Sequence, residues 1–125
     1  MDTIQTRSRK SGNEDGINMV LALYDGAIDF LKRAVESADS ENHEEKDLYT
    51  LKANEIIVEL DNALDTQSGG EVAKNLKLLY SFMNRQLVEA AMENTVEGIA
   101  NVQKMMTELR ESWQYVGSVM DASAA

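Results

Sequence analysis

From Ile17 to Ala38 the apolar residues fall at Ile17, Val20, Leu21, Tyr24, Ala27, Ile28, Leu31, Ala34, Val35 and Ala38. This 3-4-3-4 spacing is that of an amphipathic helix, and it is sustained for about six turns at 3.6 residues per turn. The chain contains no proline, so nothing forces such a helix to break. One contrary signal lies inside the run. Asp25-Gly26 is flanked by apolar residues, and Asp-Gly is a strong hairpin signal. The flanking residues do not alternate as strands require, so Gly26 is expected inside the helix. A helical glycine costs about 1 kcal/mol relative to alanine, which points to a packing reason. Met19, Leu23, Gly26 and Phe30 form a second apolar stripe, in which Gly26 is a notch. The notch admits close approach of a neighbouring helix, the simpler reading, or of an outside chain.

The same period recurs three more times. Residues 1–14 read as a polar, flexible tail containing Arg7, Arg9 and Lys10, with Asp15 as a cap for a helix over 16–39. SADSENHEE is a polar break in which Asn42 and Glu45 have capping-box spacing. A second helix over 43–66 is expected to face inward through Leu48, Leu51, Ile56, Leu60, Ala63 and Leu64, with Tyr49, Ala53 and Ile57 widening its face. TQSGG ends it. A third, over 71–92, carries Val72, Leu76, Leu79, Tyr80, Met83, Leu87, Ala90 and Ala91. Asn94 and Glu97 repeat the capping arrangement before a fourth helix over 95–120, with Ile99, Val102, Met105, Met106, Leu109, Trp113 and Val116; residues 122–125 are expected to fray. Four helices joined by short breaks make an all-α, antiparallel up-down four-helix bundle, one domain over 15–121.

Composition narrows the function. A formal net charge of −10 repels phosphate backbones and anionic lipid, so neither nucleic acid nor membrane insertion is expected. The absence of cysteine removes disulfides and thiolate chemistry. No apolar leader or 18-residue apolar run is present, so a cytoplasmic protein is expected. The single histidine, His43, cannot supply the paired Glu-x-x-His motifs of a di-metal bundle. No catalytic residue, metal or cofactor is expected. His43 with Lys46 resembles the exposed histidine of phosphotransfer bundles, but Glu41, Glu44 and Glu45 would repel a phosphoryl group.

A surplus of apolar surface is the informative feature. Leu23, Phe30, Tyr49, Ile57, Leu78 and Phe82 lie beside the inward stripes, and seven methionines occur. Each could thicken the core. Together, with Gly26 and Met83, they suit a groove for a partner helix or extended segment, which methionines would let adapt. Periodicity does not name the partner; a helical adaptor or scaffold fits equally.

Longer stretches carry a resemblance. LALYDGAIDFLKRA (21–34), KANEIIVELDNALD (52–65), GGEVAKNLKLLYSFMNRQLVEA (69–90) and LRESW (109–113) are similar, in order and spacing, to the flagellar export chaperone FliS family. The match includes Gly69, Gly70, Glu71, Ala73, Asn75, Leu76, Leu79, Tyr80, Phe82, Met83 and Arg85. The resemblance implies a cytoplasmic chaperone that binds the disordered C-terminal segment of flagellin, prevents premature polymerisation and presents it to the flagellar export gate. One departure stands out: Asp15-Gly16 occupies the family's Ser-Pro positions, and residues 1–16 contain no tyrosine. The tyrosine-bearing lid that the resemblance would imply is therefore not carried over.

Overall fold

The computed structural model describes the backbone of residues 2–124 and the side chains of residues 16–119. Four helices follow one another: α1 (Asp2–Asp39), α2 (His43–Asn62), α3 (Thr66–Glu93) and α4 (Glu97–Ala124). Among the described residues there are no strands. Helix α1 packs against α2 and α4, and α3 closes the ring on the far side, which makes an antiparallel four-helix bundle. Helical backbone begins at Asp2, so Asp15 lies within α1 rather than capping it. Without proline, Gly12 and Gly16 cost only about 1 kcal/mol each in helix propensity. The side chains of the segment read as a tail, and of residues 122–125, lie outside the described residues.

The core is drawn from one stripe on each helix. Tyr24, Ala27, Leu31 and Ala34 of α1 meet Ala53, Ile57 and Leu60 of α2, Tyr80, Met83, Leu87 and Ala90 of α3, and Ile99, Val102 and Met106 of α4. Each fully buried large side chain contributes about 1.5–3 kcal/mol by leaving water. Alanines on facing stripes of α1 and α2 let those two backbones approach closely.

The connections use left-handed residues. Helix α1 ends with Glu41 at φ 60°; its N–H donates to Ala38 O at 3.0 Å and Asn42 N–H donates to Ser37 O at 2.8 Å. That pair of bonds is a Schellman stop. Asn42 then caps α2, its side chain accepting from the Glu45 N–H at 3.2 Å. Asn94 behaves otherwise than its spacing to Glu97 suggested. It terminates α3 at φ 59°, ψ 38°, because asparagine tolerates this region better than other non-glycine residues, and its side chain is engaged by Lys46. Between α2 and α3, Asp65 caps a short turn by accepting from the Gln67 and Ser68 N–H groups at 3.0 and 3.2 Å. Gly70 at φ 55°, ψ −136° then kinks the chain before the long helix resumes at Glu71. Only glycine adopts that conformation without strain, and a Cβ on Gly69 would sit 2.7 Å from Ala73 Cβ.

Candidate partner-binding surface

The motif residues meet inside the bundle. The Tyr24 and Tyr80 hydroxyls are hydrogen-bonded to each other across the core, and Trp113 Nε1 donates to Tyr24 Oη at 3.1 Å. Asp25, beside Tyr24, pairs with Arg110 through two oxygens, with Nη2 to Oδ2 at 3.2 Å. The LALYDG, LLYSF and LRESW segments thus join α1, α3 and α4 at one level. Burial raises the pKa of both phenols above the ordinary tyrosine value, and for Tyr80 the bond to Tyr24 adds to it. An unfolded chain ionises tyrosine near pH 10. The stability these phenols contribute is therefore complete below about pH 10 and lost as pH rises above it. Urea midpoints should stay level to about pH 9.5 and then fall, less steeply for Tyr80→Phe. Equal slopes in the two proteins would mean the hydroxyls are hydrated in the fold.

The residues proposed for the groove separate into three groups. Ile57 is 1% exposed and Met83 fully buried, so both belong to the core and neither lines a surface. Leu23, Gly26, Phe30 and Tyr49 lie in the α1/α2 seam, which the protein fills itself. Ile56 Cδ1 stands 3.4 Å from where a Cβ of Gly26 would be, so the notch receives a neighbouring helix of the same bundle. Phe30 stacks on Tyr49 at 6.1 Å. Arg33 covers the Tyr49 ring at 5.7 Å and Lys52 the Phe30 ring at 5.5 Å. Leu78 and Phe82 remain, 70% and 42% exposed on α3. Exposed Val72 lies on the same helix. Val72, Leu79, Phe82 and Gln86 share one face by helical spacing. Gly98 at the start of α4 approaches Gln86, where an added Cβ would lie 3.0 Å from its carbonyl oxygen. Phe82 therefore marks the α4-facing edge of α3. On α4, Val116 is exposed.

Helix α2 is rotated relative to the reading from sequence. Its buried stripe is Lys46, Thr50, Ala53, Ile57 and Leu60, which leaves Leu48 and Leu51 50% and 56% exposed. The 4-3-4-3 spacing of that stripe is visible in the sequence, but a lysine and a threonine occupy two of its places. Lys46 is 1% exposed and donates to Ala90 O at 3.2 Å and Asn94 Oδ1 at 2.9 Å. Its ammonium compensates the negative end of α3. Thr50 donates to Lys46 O at 2.8 Å within its own helix. His43 is exposed at the first position of α2, beside Glu44. Among the described residues no group of three or more His, Asp or Glu side chains could hold a metal ion, and no helix is long and apolar enough to cross a membrane.

A family model described as Flagellar protein FliS matches residues 5–119. The chain belongs to the FliS family. Relatives named flagellar secretion chaperone FliS include one from Escherichia coli, 33% identical over 97 residues, which span 77% of this chain and 71% of the relative. One from Campylobacter jejuni is 32% identical over 107 residues, 86% of this chain and 84% of the relative. One from Bacillus subtilis is 29% identical over 96 residues, 77% and 71%. The segments through which FliS membership is legible mostly make contacts within the fold: the buried tyrosine–tryptophan contact, the more exposed Asp25–Arg110 pair and the Gly69-Gly70 kink.

Proposed function

We propose that this FliS-family protein is a cytoplasmic flagellar secretion chaperone whose client is the C-terminal segment of flagellin, held unpolymerised until it is presented to components of the export gate. The observation that carries the reading is the exposed apolar pair Leu78 and Phe82, one turn apart on α3, with Val72 also exposed on that helix, on a bundle whose own core is already closed. A surface of this kind buries the apolar face of a client helix that would otherwise join another flagellin. The work is binding without turnover. Ordering a flexible segment costs conformational entropy, so affinity stays modest for the area buried, and release at the gate needs no covalent step.

Calorimetric titration of the cognate flagellin's C-terminal segment is expected to give one-to-one binding with a negative heat-capacity change. A folded bundle that gives no heat and no co-elution with that segment would mean a different client.

A further inference from the structure

The rotation of α2 leaves a second apolar groove, between α2 and α3, that the flagellin reading does not use. Leu51, Asn54, Leu87, Val88, Ala91 and Met92 line it. Leu51, Val88 and Met92 are exposed. Leu51 also lines an adjoining cleft with Leu48, Glu44, Glu45 and Asp47. The groove thus runs from an apolar middle into an acidic end.

That end has an unusual field. The C-termini of α1 and α3 and the N-termini of α2 and α4 meet there, and Asp39, Glu41, Glu44, Glu93 and Glu97 are all exposed. Neither α1 nor α3 has a basic residue in its last turn, where a cation would offset the negative end of the helix. Lys46, at this end, is buried and committed to Ala90, Asn94 and Asp47. Asp39, Glu41 and Glu93, beside the C-termini of α1 and α3, therefore face solvent with no basic residue in the last turn of either helix. Asn54, on the groove wall, has a buried Oδ1 with no hydrogen-bond partner. A half-buried amide of this kind can turn to accept from an incoming donor.

We propose that the α2/α3 groove docks a second protein partner, through an amphipathic helix whose apolar face covers Leu51, Val88 and Met92 and whose basic end lies against Glu44 and Glu93. Apolar area supplies the attachment and the acidic end sets direction, since a helix inserted the other way would leave its lysines over apolar surface. This site goes beyond the flagellin reading and is separable from it, because neither Leu78 nor Phe82 lines the groove.

The test uses the full chain and two synthetic amphipathic helical peptides with the same leucine face, one ending in three lysines and the other in three glutamates. The lysine peptide is expected to bind at least about tenfold more tightly than the glutamate peptide, with the margin shrinking as salt rises. Leu51→Glu is expected to reduce lysine-peptide binding by at least about tenfold and leave the affinity for the flagellin segment unchanged. Leu51 is exposed, so the variant should keep its melting temperature, and Met92→Glu provides an independent second disruption. Equal binding of the two peptides, or binding indifferent to both variants, would overturn the proposal while leaving the flagellin reading intact. Loss of flagellin binding in Leu51→Glu would overturn it in another way, by making the groove part of the client's seat.

Discussion

Phe82→Glu is expected to weaken binding of the flagellin C-terminal segment by about ten- to a hundredfold, while changing the free energy of unfolding by less than about 1 kcal/mol. Met83→Glu, one residue on, is expected to cost more than about 4 kcal/mol and to leave little folded protein to assay. One residue of helix turns the side chain by about 100°, and that angle separates a ring 42% exposed at the α4-facing edge from a thioether fully enclosed in the core. A carboxylate at position 82 stays hydrated and opposes an apolar client; one at position 83 is stripped of water with no cation to meet it. Calorimetry for affinity and urea unfolding for stability read the two effects separately. If Phe82→Glu collapsed stability while affinity per folded molecule held, the ring would be structural and the client's seat would lie elsewhere.

The second large effect concerns Lys46. Lys46→Ala is expected to destabilise the bundle by about 3–5 kcal/mol. It removes a buried aliphatic stem and leaves Ala90 O, Asn94 Oδ1 and the Asp47 carboxylate, 3.5 Å from Nζ, without their cation. Lys46→Met keeps most of the stem and should recover about 1–2 kcal/mol of that loss. The remainder measures the ammonium at the end of α3. Urea denaturation of the two variants at neutral pH gives the comparison. Equal stability of Lys46→Met and the parent would show that the charge contributes nothing net, as happens when buried ion pairs are replaced by well-packed apolar groups.

Much of the architecture was legible before any coordinates. The long 3-4 spacing of α1 and the polar break at SADSENHEE place helices of a bundle, because helix period and turn chemistry are local properties. TQSGG, expected to end the second helix at 66, instead opens α3, since α2 already stops at Asn62 and Gly70 only kinks the helix that follows. The FliS motifs were equally legible, but their roles were not. Tyr24, Tyr80 and Trp113 are spread over most of the chain, and only folding brings their polar atoms together. For Arg110 the sequence left two uses open, an internal ion pair or a partner contact, and folding places its guanidinium on Asp25.

The candidate surface was legible only in part. Leu78 and Phe82 lie off the inward stripe of α3 and are exposed. Ile57 is buried while Leu48 and Leu51 are exposed, the reverse of what apolar spacing on α2 predicts, since the buried stripe of that helix includes Lys46 and Thr50. Asn94 ends α3 instead of capping α4 as its spacing to Glu97 predicts, because capping spacing does not reveal that its side chain is occupied by Lys46.

The sequence by itself therefore determined that the chain is four helices, antiparallel and of FliS type, because periodicity, breaks and motif order are written along it. Which face of α2 turns inward was decided only by tertiary structure. A lysine loses its hydration when buried, so its place inside depends on the carbonyl and amide oxygens that the end of α3 brings within 2.9–3.2 Å.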